Sequence, residues 1–78
     1  MVYVLDASKM TDKATSHAYL KEVLELPEYY GHNLDALHDC LEEMTDWEVE
    51  VIHTDDMLAA LGRYGELLLQ VLSDVKKR

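Results

Sequence analysis

The run Trp47–Ile52 opens with Trp, Glu, Val, Glu, Val, the period-two pattern of a strand with one face buried and the other in water. No other feature limits the fold as tightly. With Glu48 and Glu50 on one side, that side of any sheet stays wet, and helices are left to cover only the other. A second apolar run with β-branched and aromatic members, Val2–Leu5, reads as another strand, ended by Asp6, Ala7 and Ser8. Helical patterns separate the two runs, so the strands are expected to lie parallel, joined by a right-handed crossover.

The first helical pattern starts at the N-cap oxygens of Thr11 or Asp12 and runs to about Leu24, with Leu20, Val23 and Leu24 on its buried stripe. Pro27 and Gly31 break the chain after it. Asn33 is a good N-cap for a second helix over Leu34–Glu43. Beyond the second strand, Thr54 is expected to cap a short helix over Asp55–Leu61, whose first-turn carboxylates suit the helix dipole. Gly62 stops that helix, and Gly65 precedes a last one over Glu66–Lys77. There Leu68, Val71, Leu72 and Val75 follow the spacing of a core face, and Lys76, Lys77 and Arg78 sit at the favourable C-terminal end. The order is β-α-α-β-α-α. It predicts a single α/β domain over residues 1–78, a small two-layer fold with a parallel sheet and helices on one face. No internal repeat, linker or low-complexity segment interrupts it.

Charge narrows the function. The net charge is −9, which argues against nucleic acid and anionic membranes as partners, since both are bound through clustered Lys and Arg. The imbalance is local: Glu22–Asp56 holds 12 carboxylates and no Lys or Arg. Most charge runs are merely solvated faces, but neutral solubilising surfaces intersperse both signs. An acidic segment without cations points to a basic protein partner. The single cysteine, Cys40, allows no intrachain disulfide, which fits a reducing compartment. No signal peptide and no apolar run of membrane-spanning length is visible, so the expected location is cytoplasmic.

The second helix is two-faced. Leu34, Leu37, Leu41 and Met44 share one stripe, while Asp35, His38, Asp39 and Glu42 share another. One side packs; the other projects three carboxylates and an imidazole. Like charges four residues apart weaken a helix by a few tenths of a kcal/mol, roughly, a mild sign that the acidic stripe is used. Tyr29 and Tyr30 lie in the loop just ahead, each open between a core position and a surface anchor.

The run Leu26-Pro27-Glu28-Tyr29-Tyr30-Gly31, then Asn33-Leu34-Asp35-Ala36-Leu37, then Asp39-Cys40-Leu41, resembles the signature of the barstar family of intracellular ribonuclease inhibitors. Elsewhere the likeness weakens to compatible patterning, including Leu69–Val71 in the last helix. The resemblance implies a barstar-like fold, in which the second helix and its leading loop plug a ribonuclease active site in a 1:1 complex. A ribonuclease cleft is cationic because it binds a polyanion, so carboxylates on a rigid helix can occupy its phosphate subsites. That electrostatic mechanism is established for barnase and barstar and comes with the resemblance.

By the same resemblance, Asp39 is the central phosphate mimic. Asp35 faces cationic and backbone groups beside it, and Tyr29 packs on a catalytic histidine. Gly31, Asn33 and Leu34 shape the docking loop. Several positions depart from the family pattern. His38 and Met44 stand where tryptophans are expected, Asp74 where a contact glutamate is, and Lys76–Arg78 where a further acid is. Glu42 belongs to the acidic face. Family members continue into a third strand, whereas this sequence ends at Arg78. The expectation is therefore a two-stranded sheet with an edge open to self-association.

Other chemistry is less well supported. His32, His38, Asp35 and Asp39 match no metal-ligand spacing, and no metal or cofactor is expected. Cys40 beside Asp39 is in the wrong electrostatic setting for a nucleophile and reads as a small buried apolar residue. His17 and His53 read as ordinary surface or packing histidines, and Trp47 as core. Without a catalytic constellation the chain is expected not to be an enzyme. The rival class is a non-inhibitory interaction module that docks its acidic helix on another basic protein.

Overall fold

In the computed structural model, which describes residues 2–44 and 47–76, the strands β1 (Val2–Asp6) and β2 (Glu48–Ile52) form a parallel two-stranded sheet. Val2 pairs with Glu48, Val4 with Glu50 and Asp6 with Ile52; between them Tyr3 pairs with Val49 and Leu5 with Val51. Side chains alternate along each strand, so the two sets lie on opposite faces. Leu5 and Val49 are buried, with Tyr3 and Val51 packed beside them. On the other face Val2, Val4, Glu48 and Glu50 are exposed. The wet face that the alternation demanded is present. β1 runs one residue further than expected, through Asp6, and a short 3-10 turn at Ala7–Lys9 follows it. β2 begins at Glu48, leaving Trp47 just outside the strand but packed against the core.

Helices α1 (Lys13–Val23), α2 (Leu34–Glu43), α3 (Thr54–Leu61) and α4 (Arg63–Lys76) complete the chain. α1 starts where Asp12 accepts a hydrogen bond from the Thr15 N–H at 2.7 Å. It ends in a Schellman turn, the Leu26 N–H bonding the Lys21 carbonyl at 3.0 Å, with Glu25 in the left-handed region at φ 55°. Leu20, Leu24, Leu37, Leu41, Met57 and Leu68 fill the interior with Leu5. Each contributes about 1.5–3 kcal/mol by leaving water. α2 lies along α4, and α3 packs against α4 and the 3-10 turn.

Two helix starts differ from expectation. Thr54 does not cap α3; it is the first helical residue, and His53 takes the cap position at φ 59° with no side-chain capping bond. The His53 ring is engaged elsewhere, its Nδ1 2.9 Å from Asp6 Oδ1 at the end of β1, which holds the chain reversal one residue earlier. α4 begins at Arg63 rather than Glu66. Gly62 alone makes the turn, at φ 58° and ψ −128°, so no second breaker is needed. Gly65 lies inside the first turns of α4, where a Cβ would come within 3.3 Å of Leu61 Cβ and 3.4 Å of the Met57 carbonyl. Its smallness serves close packing of α4 on α3. The expected core place of Val75 and the cationic end Lys76, Lys77 and Arg78 lie outside the described side chains.

Candidate functional site: the acidic helix and its leading loop

α2 has the bounds its pattern predicted, because Asn33 caps it. Asn33 Oδ1 accepts the Ala36 N–H at 2.7 Å, and its Nδ2 donates to the Gly31 carbonyl at 3.1 Å. One side chain thus starts the helix and ties down the loop before it. Gly31 must be small here: a Cβ would sit 3.3 Å from both Ala36 Cβ and Asn33 Nδ2. His32 between them has φ 51°, a conformation that costs a non-glycine residue about 1–2 kcal/mol.

The two faces of α2 separate as the spacing required. Leu37, Cys40 and Leu41 are buried, and Leu34 and Met44 are half-buried against the core. Asp35, Asp39 and Glu42 are exposed, and half-buried His38 pairs its Nδ1 with Glu42 at 3.1 Å. Among the described residues no cation lies within ion-pair distance of Asp35 or Asp39. Asp35 sits in the first turn, where the dipole favours it. Glu42 and Glu43 sit at the opposite end with no basic residue in the last turn. Carboxylates there oppose the dipole by about 0.3–1 kcal/mol each. The helix therefore carries its charge partly against its own stability. Asp74 is exposed on α4, the helix packed along α2.

The tyrosine question resolves one each way. Tyr29 is 76% exposed and Tyr30 only 4%. What holds Tyr30 inside is His17, itself 1% exposed. His17 Nδ1 lies 2.5 Å from the Tyr30 hydroxyl and Nε2 lies 2.5 Å from the Tyr64 hydroxyl. A neutral imidazole has one N–H and one bare nitrogen, so one phenol accepts and the other donates. Burial, and then the nearby His32, pushes the His17 pKa down. Burial likewise raises both phenols. The trio joins α1, the loop before α2 and α4, and by drawing Tyr30 inward it turns its neighbour Tyr29 outward. His17 is the positioning residue that sequence reasoning passed over. Its partners lie 13 and 47 residues away, and no local pattern announces them.

Cys40 is buried, its thiol pushed up by burial first and then by Glu43 and Asp39. It is a buried packing residue, as expected. His53 is the exposed histidine of the pair considered above; its hydrogen bond to Asp6 raises its pKa. Asp6 in turn is held at about 2 by hydrogen bonds from Ser8 and then His53. Among the described residues no group of three or more His, Cys, Asp or Glu side chains is placed to hold a metal ion.

Fold and site together define a small α/β domain whose helix α2 displays Asp35 and Asp39 with no cation in ion-pair distance among the described residues. Residues 1–78 match the family described as Barstar (barnase inhibitor). The chain is also similar to a protein of Bacillus subtilis (strain 168) named "Putative ribonuclease inhibitor YrdF", with 30% identity over 76 residues, covering 95% of this chain and 84% of that protein. The chain belongs to the barstar family.

Proposed function

We propose that this protein binds a ribonuclease 1:1 and blocks its active site with the solvent face of α2 and the loop ahead of it. The observation that carries the reading is the exposed pair Asp35 and Asp39, with no cation in ion-pair distance among the described residues, next to an outward-turned Tyr29. The two aspartates stand in for substrate phosphates, with Asp39 central. Tyr29 packs on the enzyme's catalytic histidine, and Leu34, His38, Glu42, Met44 and Asp74 complete the contact. The protein acts by occupying a cationic cleft, catalyses nothing itself, and works in the cytoplasm. Opposite fields accelerate encounter, so association is fast at low salt and slows as salt screens it.

The test is titration of a cognate ribonuclease, purified with the protein from lysate, at several salt concentrations. Wild type abolishes nuclease activity at one equivalent, and Asp39→Ala weakens inhibition by at least about a hundredfold, as for a desolvated charge pair across an interface. Unchanged inhibition by Asp39→Ala refutes the mechanism. Recovery of a basic partner without nuclease activity would favour the non-inhibitory module. A weaker contact belongs to the same reading: among the described residues the sheet has two strands, and a small sheet that no further strand extends invites pairing with a second chain. Sedimentation at rising concentration should reveal dimers, and a strict monomer at millimolar concentration counts against it.

A further inference from the structure

A cleft of about 360 Å³ opens where the end of α1, the loop before α2 and the end of α2 meet. The apolar residues Leu24, Pro27 and Met44 line it together with the exposed Tyr29, and so do the two acidic residues Glu25 and Glu43. The volume falls at the low end of binding pockets, with room for one long side chain. We propose that this cleft is a subsite for an arginine side chain of the partner protein. The inference rests on the function proposed above, which supplies the partner, and adds a contact that the acidic stripe of α2 does not include.

Three observations point to that occupant. First, among the described residues neither Glu25 nor Glu43 has an ion-pair or hydrogen-bond partner, and no Lys or Arg occurs anywhere from Glu22 to Asp56. Two acidic residues of one cleft are therefore open to a cation from outside. Second, Glu25 occupies the left-handed position of the Schellman turn, φ 55°, where glycine or asparagine is the relaxed choice. The fold holds a carboxylate at the cleft despite that strain. Third, the cleft adjoins Tyr29 and Met44, so a partner seated on α2 reaches it without moving.

Arginine fits better than lysine. Its stem lies on apolar walls while its planar guanidinium stacks on an aromatic face and bonds carboxylates through a fork of N–H donors. A strongly hydrated ammonium gains less from such a surface.

The experiment has two arms. Methyl and aromatic NMR spectra of the intact protein are recorded during titration with N-acetyl-arginine methylamide, and with the citrulline analogue, which has the same shape and no charge. The Met44 methyl and the Tyr29 ring are expected to shift with the arginine probe alone. The buried Met10 and Met57 methyls should stay still, and Glu25→Gln/Glu43→Gln should abolish the response. Equal shifts with citrulline, or none at the cleft, overturn the proposal. In the second arm the same double variant is titrated against the ribonuclease beside Asp39→Ala. An affinity loss of about tenfold, the scale of one charge-assisted pair, supports the subsite. If Asp39→Ala is damaging and the double variant binds like wild type, the subsite fails alone. If Asp39→Ala has no effect, the inhibitor reading fails, and the NMR arm still judges the chemistry of the cleft.

Discussion

Replacing His17 with leucine tests the internal support of the binding loop. His17→Leu keeps the buried volume approximately and deletes the hydrogen bonds to Tyr30 and Tyr64. Tyr64 is half-buried and can turn its hydroxyl to water, so that loss is about 0.5–1.5 kcal/mol. The Tyr30 hydroxyl is sealed in, and leaving it without a partner costs about 1–3 kcal/mol. Together these reach about 2–4 kcal/mol, a large share of the roughly 4–12 kcal/mol available to a domain of this length. Urea unfolding followed by tyrosine fluorescence should show the midpoint falling by about 2–4 M at a slope near 1 kcal/mol per M. In a double-mutant cycle with Tyr30→Phe, the two changes should be strongly non-additive. A coupling below about 0.5 kcal/mol would refute the claim that this bond positions the loop.

The same residue sets a pH signature. Burial and His32 hold the His17 pKa below its ordinary value in the fold, so the folded state binds this proton more weakly than the unfolded chain does. Its contribution is fully present above about pH 6.5 and is lost as pH falls below that value through the folded pKa. His53 has the opposite sign. Asp6 raises its pKa, so its contribution is present below about pH 6.5 and is lost as pH rises through the folded value. The two slopes oppose one another near neutrality. His17→Leu should flatten the acid limb of the stability profile, and His53→Ala should leave it steeper.

Two further predictions concern the backbone that presents the site. Asn33→Ala removes both the cap bond to Ala36 and the tie to Gly31, and should lower stability by about 1–2 kcal/mol in thermal melts, with weaker inhibition from the loosened loop. Gly62→Ala forces a side chain into φ 58°, ψ −128°; although no neighbouring atom blocks a Cβ, the conformation itself should cost about 1–3 kcal/mol in denaturant melts, leaving the affinity of the remaining folded protein unchanged.

Local patterns were legible wherever a neighbour within four residues supplies the cause. The bounds of α2 follow from Asn33 and the i, i+3, i+4 stripe, and the wet sheet face follows from Glu48 and Glu50. The starts of α3 and α4 were not legible, because the roles of His53 and Gly65 are set by what they touch in the fold. His53 reaches back to Asp6 across the sheet, and Gly65 is needed for its closeness to Met57 and Leu61, not as a breaker. A glycine that stops a helix and one that lets two helices touch look alike in sequence.

The sequence by itself determined the class of fold, the two-faced character of α2 and the concentration of negative charge in the middle of the chain. Periodicity and charge order are properties of neighbours along the chain. Only the tertiary structure decided which of two adjacent tyrosines faces the solvent. That choice is made by His17, brought from α1 to a hydrogen bond with Tyr30, and by Tyr64 closing the trio from α4. Glu25 and Glu43 likewise become members of one cleft only when the end of α1 meets the end of α2. Hydrogen bonds and clefts between distant elements exist only once the core has closed, and here they set the shape that the acidic helix presents.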